Sequence, residues 1–242
     1  MSKIMERPIL MNGEMVRATL EDRKTQTRRL LGGYIEPHPV VEGGLVWTNG
    51  RKRQFWLNCQ PDHPQHISKA GVYSVGQRLW VRETWSVCLP TGDCAETISD
   101  AKEWHPSSPG YSGNHHGEAR YAATDGLPDA DARWFPSIHM PRWASRLTLE
   151  VTDVRVERLQ AITGADAMAE GARRFDRGSV APSFMGSDGP GWSMGTPASF
   201  GETLGSAQMA FANLWENLYG EIASWDSNPW IWRVAFRRLE QP

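Results

Sequence analysis

Residues 146–157 read RLTLEVTDVRVE, and the fold class turns on this stretch. Leu147, Leu149 and Val151 alternate with polar residues at the two-residue period of a half-buried strand. The alternation then slips by one, because Val154 and Val156 continue it on the other parity with Thr152 and Asp153 between. Such a slip predicts a bulge or bend inside one long strand, and a long bent strand is typical of small β-barrels. The next stretch, LQAITGADAMAEG at 159–171, predicts a short helix. Thr163 is a natural N-cap, Asp166 three residues on makes an approximate capping box, Ile162 fits a staple, and Gly171 is placed to end the helix. Glu170 falls in the last turn, where a carboxylate opposes the helix dipole. That misfit hints at a role for Glu170 other than helix stability.

At the other end of the chain, GEMVRATLEDRKTQTRR at 13–29 begins as a short amphipathic helix. Met15, Val16 and Leu20 are offered to a core, Arg17 and Glu21 to solvent. The two threonines that follow favour leaving the helix near Lys24. Over 17–29 Arg17, Arg23, Lys24, Arg28 and Arg29 oppose only Glu21 and Asp22, a local excess of three positive charges on a chain of net charge -2. The positive field is therefore local, which excludes a generally basic nucleic-acid coat and leaves room for a basic groove.

Between and beyond these stretches the remaining elements follow from pattern. Pro8 to Met11 reads as a short buried strand. Leu45–Thr48 and Arg51–Trp56 flank Asn49-Gly50, the preferred dipeptide of a two-residue hairpin turn; its basic cluster beside Trp47, Phe55 and Trp56 suits either a phosphate backbone or a soluble sheet edge. Residues 76–85, GQRLWVRETW, read as a turn entering a strand with Leu79, Val81 and Glu83 on one face and Trp80 and Arg82 on the other. That pair suits a base and its phosphate, or a cation–π contact on a barrel wall. Residues 134–144 are a proline-pinned aromatic segment. Phe211, Leu214, Trp215 and Leu218 recur at helical spacing, and Trp230 to Leu239 is a core strand. Residues 86–133, with eight acidic and three basic residues, and residues 173–205, with seven glycines and three prolines, carry no usable period and read as insertions, as does the span of about 30–72.

A hydrophobic fraction of 40% with 12 tryptophans supplies a sizeable core. No apolar run reaches membrane-spanning length and the N-terminus lacks signal-peptide features, so a cytoplasmic protein is expected. Cys59, Cys88 and Cys94 have no Cys-x-x-Cys spacing and are expected as reduced thiols. His105, His115 and His116 sit in a polar loop with no carboxylate or cysteine at ligand spacing, so no metal and no cofactor is expected.

The helix with RKTQTRR, the VGQRLWVRETW strand, the TLEVTDVRVERL strand with its Ala-Glu-Gly helix and the closing W-x-W-x-V-x-F strand resemble the ASCH domain, most closely its large phage and prophage members. The resemblance covers both ends and the middle of the chain but not the insertions at 86–133 and 173–205. It implies one α+β domain over residues 1–242: a small mixed PUA-like β-barrel with flanking helices and long loop insertions. The family signature G-x-K-x-x-T-x-R is met with two departures. Asp22 stands at the glycine position, and two arginines follow Thr27, of which Arg29 has the family spacing.

Small ASCH enzymes release the acetyl group of N4-acetylcytidine with a lysine, a threonine three residues on and a glutamate on the helix after the long strand. The resemblance assigns these roles to Lys24, Thr27 and Glu170. Chemistry agrees if burial and neighbouring arginines lower the Lys24 pKa until it can take a proton from the Thr27 hydroxyl, with Glu170 orienting the lysine or protonating the departing nitrogen. Arg28, Arg29, Trp80, Arg82, Glu83, Trp85, Arg142 and Trp143 are the expected substrate or nucleic-acid contacts, with Trp80, Trp85 and Trp143 walling a pocket at the barrel mouth. A lysine among arginines is equally a phosphate contact. The second expectation is therefore a module that binds RNA, single strands or a modified base without catalysis, and the third a ribonuclease. A monomer is favoured.

Overall fold

A computed structural model of the chain describes residues 6–32, 34–37, 45–49, 53–57, 73–104, 117–126, 132–176, 190–198 and 202–240. Strand β1 (Glu6–Leu10) leads into helix α1 (Gly13–Leu20) and strands β2 (Gln26–Leu30), β3 (Tyr34–Pro37), β4 (Leu45–Asn49), β5 (Arg53–Leu57), β6 (Arg78–Arg82) and β7 (Trp85–Cys88). Helix α2 (Ile98–Glu103), β8 (Glu118–Tyr121), β9 (Thr148–Arg158), α3 (Gly164–Ala169), β10 (Arg173–Phe175), β11 (Gly191–Ser193), α4 (Ala207–Tyr219) and β12 (Trp230–Leu239) follow. The α+β class expected from sequence is present. Five strands form a sheet in the order β1-β6-β9-β12-β2; β3-β4-β5, β7-β8 and β10-β11 form smaller sheets, and among the described residues none closes into a barrel.

The chain divides into two compact units. The first holds residues 1–21, 78–149 and 238–242, the second residues 22–77 and 150–237. Fully buried Trp85 anchors the first, with Val87, Ala95, Ala101, Phe135, Met140 and Ala144 around it. In the second, Leu159, Ile162, Ala167, Phe211, Trp215 and Ile231 pack together. Of the predicted apolar stripe of α4, Phe211 and Trp215 enter this core, whereas Leu218 is exposed.

The long strand is continuous through its phase slip: Val151 and Val154 are both buried with Thr152 exposed between them. β1 differs from expectation, because Ile9 alone of its residues is buried. It is an edge strand lying parallel to β6, and Pro8, which cannot donate to a ladder, suits such a place. The hairpin forms, but Thr48 faces Gln54 and Asn49 faces Arg53, so Asn49 is a paired strand residue and not half of a two-residue Asn49-Gly50 turn. Residues 50–52, Cys59 and the three histidines of the acidic insertion lie outside the described residues.

The insertion at 86–133 carries more order than its composition suggests. Thr97 and Asp100 form a capping box on α2, β7 pairs antiparallel with β8, and Cys88 and Cys94 form a disulfide. Two of the three cysteines expected as thiols are thus joined. The backbone bridge between residues 88 and 94, closed by the Leu89 amide on the Asp93 carbonyl at 2.7 Å, brings together cysteines whose spacing matches no familiar motif.

Asp22 occupies a left-handed conformation, φ 55, immediately after Glu21, the C-cap of α1. The backbone requires a positive φ here, which aspartate tolerates and glycine adopts without steric penalty. Asp22→Gly is expected to raise stability by about 0.5 kcal/mol, read as a higher thermal midpoint. A lower midpoint would mean that contacts of the aspartate outweigh the relieved backbone.

Candidate functional site

The site begins with the end of a helix. The capping box of Thr163 and Asp166 starts α3 as expected, and Glu170 is its C-cap. Gly171, at φ 110, then turns the chain away. A helix end leaves carbonyls without intrahelical donors, and the segment after α1 supplies the donors. The Thr25 amide bonds the Ala169 carbonyl at 2.8 Å, Lys24 Nζ the Glu170 carbonyl at 3.0 Å, and Arg23 the Gly171 carbonyl at 2.9 Å. Residues 23–25 therefore seal the C-terminus of α3, which sets Lys24 beside Glu170 across 146 residues of sequence.

Lys24 Nζ then donates to Glu170 Oε2 at 2.7 Å, the lysine side chain being 0% and the glutamate side chain 3% exposed. The other oxygen, Oε1, accepts from Arg28 at 3.1 Å. Arg28 reaches further, to Glu157 at 2.7 Å and Asp166 at 3.6 Å, with its guanidinium over the Phe211 ring. Gln26 donates to the carbonyl and side chain of Asp166 and accepts from Arg233, which also pairs with Asp153. Two buried cations thus share one buried carboxylate, and the outer carboxylates balance them. The carboxylate that opposed the helix dipole is neutralised by Lys24 and Arg28.

Burial is the largest influence on Lys24 and pushes its ammonium below the ordinary lysine range; Glu170 pulls it back, while Arg29 and Arg28 act with burial. For Asp166 burial pushes upward, but hydrogen bonds from Thr163 and Gln26 and the charge of Arg28 hold the carboxyl below its usual range.

Thr27 is placed differently. Gln26 and Arg28 both point at α3, so the pleat of β2 turns Thr27, between them, to the opposite face of the strand. It pairs with Val234 of β12, is fully buried, and its hydroxyl has no hydrogen-bond partner among the described residues. The structure therefore joins Lys24 with Glu170 and does not hydrogen-bond Thr27 to either. A buried hydroxyl without a partner is destabilising, so Thr27→Val is expected to stabilise the fold by about 1 kcal/mol. Chemical denaturation checks this; a loss of stability would show that the hydroxyl is satisfied in solution.

The other predicted contacts fall in two groups. Arg29, half-buried on β2, donates to the Arg28 carbonyl. Trp80, Arg82, Glu83, Trp85, Arg142 and Trp143 belong to the first unit. There Arg82 lies 4.7 Å and Arg142 6.0 Å from the Trp80 ring centre, which realises the Trp–Arg pair read on one strand face. Arg142 is held by Glu6 at 2.9 Å. Trp85 is a core residue with zero exposure, packed edge-on against Trp143 at 5.9 Å. Glu83, 1% exposed, is gripped through both oxygens by Arg146 at 2.9 Å. Burial raises its carboxyl pKa against the opposing pull of Arg146. A cavity of about 840 Å3 in the same unit is lined by Asp93, Glu96, Asp100, Trp104 and Arg133 among others, and by none of the residues predicted from sequence.

Gln26, Asp153, Glu157, Asp166 and Arg233 are members of the Lys24 network that sequence reasoning missed. Asp166 was recognisable as a cap, but nothing local marks a capping aspartate as a partner of an arginine 138 residues earlier. Among the described residues no cluster of His, Cys, Asp or Glu suits a metal ion, and no helix is long and apolar enough to cross a membrane. Comparison of the chain with family models, with curated proteins and with solved structures finds no match.

Proposed function

We propose that this chain is a metal-free amidohydrolase of the ASCH type, built on a PUA-like fold and acting on an acylated nucleoside such as N4-acetylcytidine in a cytoplasmic setting. The observation that carries the reading is the buried pair of Lys24 and Glu170, 2.7 Å apart. These are two of the three residues that the resemblance assigns to catalysis, and the fold joins them from distant parts of the chain. In the reaction water is consumed and acetate and cytidine are released. A lysine whose proton affinity is reduced by burial is suited to take a proton from the attacking oxygen, and Glu170 orients it. The proton then passes to the departing N4 nitrogen.

The test is incubation of the purified protein with N4-acetylcytidine and analysis of products by mass spectrometry. Cytidine and acetate appearing in equal amounts supports the reading; no turnover on this or other N4-acylated cytidines removes it. Two observations favour a second reading, recognition of RNA or a modified base without chemistry: the Thr27 hydroxyl has no hydrogen-bond partner among the described residues and Lys24 is closed to solvent. Salt-sensitive binding of a single-stranded oligonucleotide, with no product formed, would select that reading.

A further inference from the structure

Sequence placed Arg28 among the substrate contacts, and its position argues for another task. Its side chain is 0% exposed, and its two terminal nitrogens are divided between carboxylates of different elements. Nη1 goes to Glu170 at the end of α3, Nη2 to Glu157 on β9 and, at 3.6 Å, to Asp166 on α3. The guanidinium is also stacked at 5.8 Å on Phe211 of α4. Its Nε has no hydrogen-bond partner among the described residues, but a side chain that is 0% exposed is closed to a phosphate from solvent. It can hold something else, namely the orientation of Glu170.

We propose that Arg28 is the positioning residue of the site: it fixes Oε1 of Glu170 so that Oε2 is delivered to Lys24, while Glu157 and Asp166 hold Arg28 itself in place. In taking Lys24 and Glu170 as the reacting pair, this rests on the amidohydrolase reading. The geometry demands an arginine. A planar fork bridges two carboxylates at once, whereas an ammonium is a point charge that serves one at a time. Without the fork, Glu170 is left with a single anchored oxygen and can rotate away from the lysine. The charged groups acting on Lys24 are Glu170 from α3 and Arg29 and Arg28 from β2; those acting on Arg28 are Glu157, Asp166 and Glu170. Removing Arg28 deletes a positive charge near Lys24 but also frees Glu170, whose charge and hydrogen bond support the lysine proton more strongly than Arg28 opposes it; once Glu170 turns away, the proton is held less tightly and the acid limb of turnover moves to lower pH.

The test follows the Lys24 ammonium by NMR in lysine-labelled full-length protein, assigned by its absence from Lys24→Met, across pH in wild type, Arg28→Met and Arg28→Lys. Turnover of N4-acetylcytidine is measured alongside. In Arg28→Met the Lys24 midpoint moves to lower pH, its ammonium protons exchange faster, and kcat falls by roughly tenfold at neutral pH with KM unchanged. In Arg28→Lys the midpoint stays below that of wild type and kcat stays low, because charge is restored and the fork is not. If Arg28→Met leaves both midpoint and exchange as in wild type, if it moves the midpoint to higher pH as loss of a positive charge alone would, or if Arg28→Lys restores kcat in full, the positioning role is overturned. Absence of turnover in wild type, with the midpoint and exchange still moving in Arg28→Met, removes the amidohydrolase reading and leaves the positioning of Glu170 standing. Should Arg28→Met fail to fold, Arg28→Met with Glu157→Gln removes the arginine and a facing charge together, and the same Lys24 shift is expected.

Discussion

Lys24→Met is expected to abolish release of cytidine and to cost about 3 kcal/mol of stability. The side chain it removes is wholly buried and donates to both the carboxylate and the carbonyl of Glu170. A buried ion pair adds little net stability over well-packed apolar groups, because both charges must leave water, but removing one partner strands the other. Here Arg28 still holds Oε1 of Glu170, which puts the cost at the low end of the range for broken buried pairs. Combining Lys24→Met with Glu170→Leu should be less destabilising than the sum of the single changes, by about 1–3 kcal/mol. Strict additivity in that cycle would show that the pair is not coupled, and residual turnover in Lys24→Met would remove the lysine from the mechanism. The pH dependence has a definite sign. The folded-state pKa of Lys24 lies below the ordinary 10.5, so between the two values the unfolded chain binds more protons. The resulting penalty is fully present below the folded pKa and disappears as pH rises towards 10.5. Wild type therefore gains stability relative to Lys24→Met as the solution becomes alkaline.

Arg146→Ala should cost about 3–5 kcal/mol without involving Lys24. It leaves Glu83, 1% exposed, as an unpaired carboxylate and removes a guanidinium stacked 4.0 Å over Tyr121. The Tyr121 hydroxyl, itself pushed up to about 12 chiefly by burial, donates to the Ala144 carbonyl and stays neutral throughout. Burial already raises the Glu83 pKa above its ordinary 4.5 in the wild-type protein, and loss of Arg146 raises it further. A raised carboxyl carries its penalty above the folded pKa and sheds it as pH falls towards 4.5. The stability gap between wild type and Arg146→Ala should therefore narrow on acidification, as denaturant titrations at several pH values would show. A gap that stays constant with pH would mean that Glu83 finds another donor.

Local chemistry made parts of this molecule legible in advance. The capping box of Thr163 and Asp166, the break at Gly171, the exit from helix near Lys24 and the Trp80–Arg82 face each depend on residues within a few positions of one another. Features that depend on register or partner were not legible. Asn49-Gly50 signals a turn, but the pairing of Asn49 with Arg53 makes Asn49 a strand residue. The Cys88–Cys94 bond follows from a backbone bridge inside a segment whose composition suggested no order. Glu170 was reached only through a family resemblance, aided by its misfit with the helix dipole.

Sequence by itself determined the α+β class, the main elements and a basic segment placed on a near-neutral chain, because propensity, period and capping act over a turn or a few strand residues. Only tertiary structure decided which charges meet. By sealing the carbonyl end of α3 with residues 23–25, the fold turned a patch that read as a phosphate site into a closed network, with Lys24 and Arg28 on either oxygen of Glu170 and Thr27 facing the other way. The physical reason is that a buried charge must be matched by its neighbours in space, and those neighbours come from strands and helices that no local pattern connects.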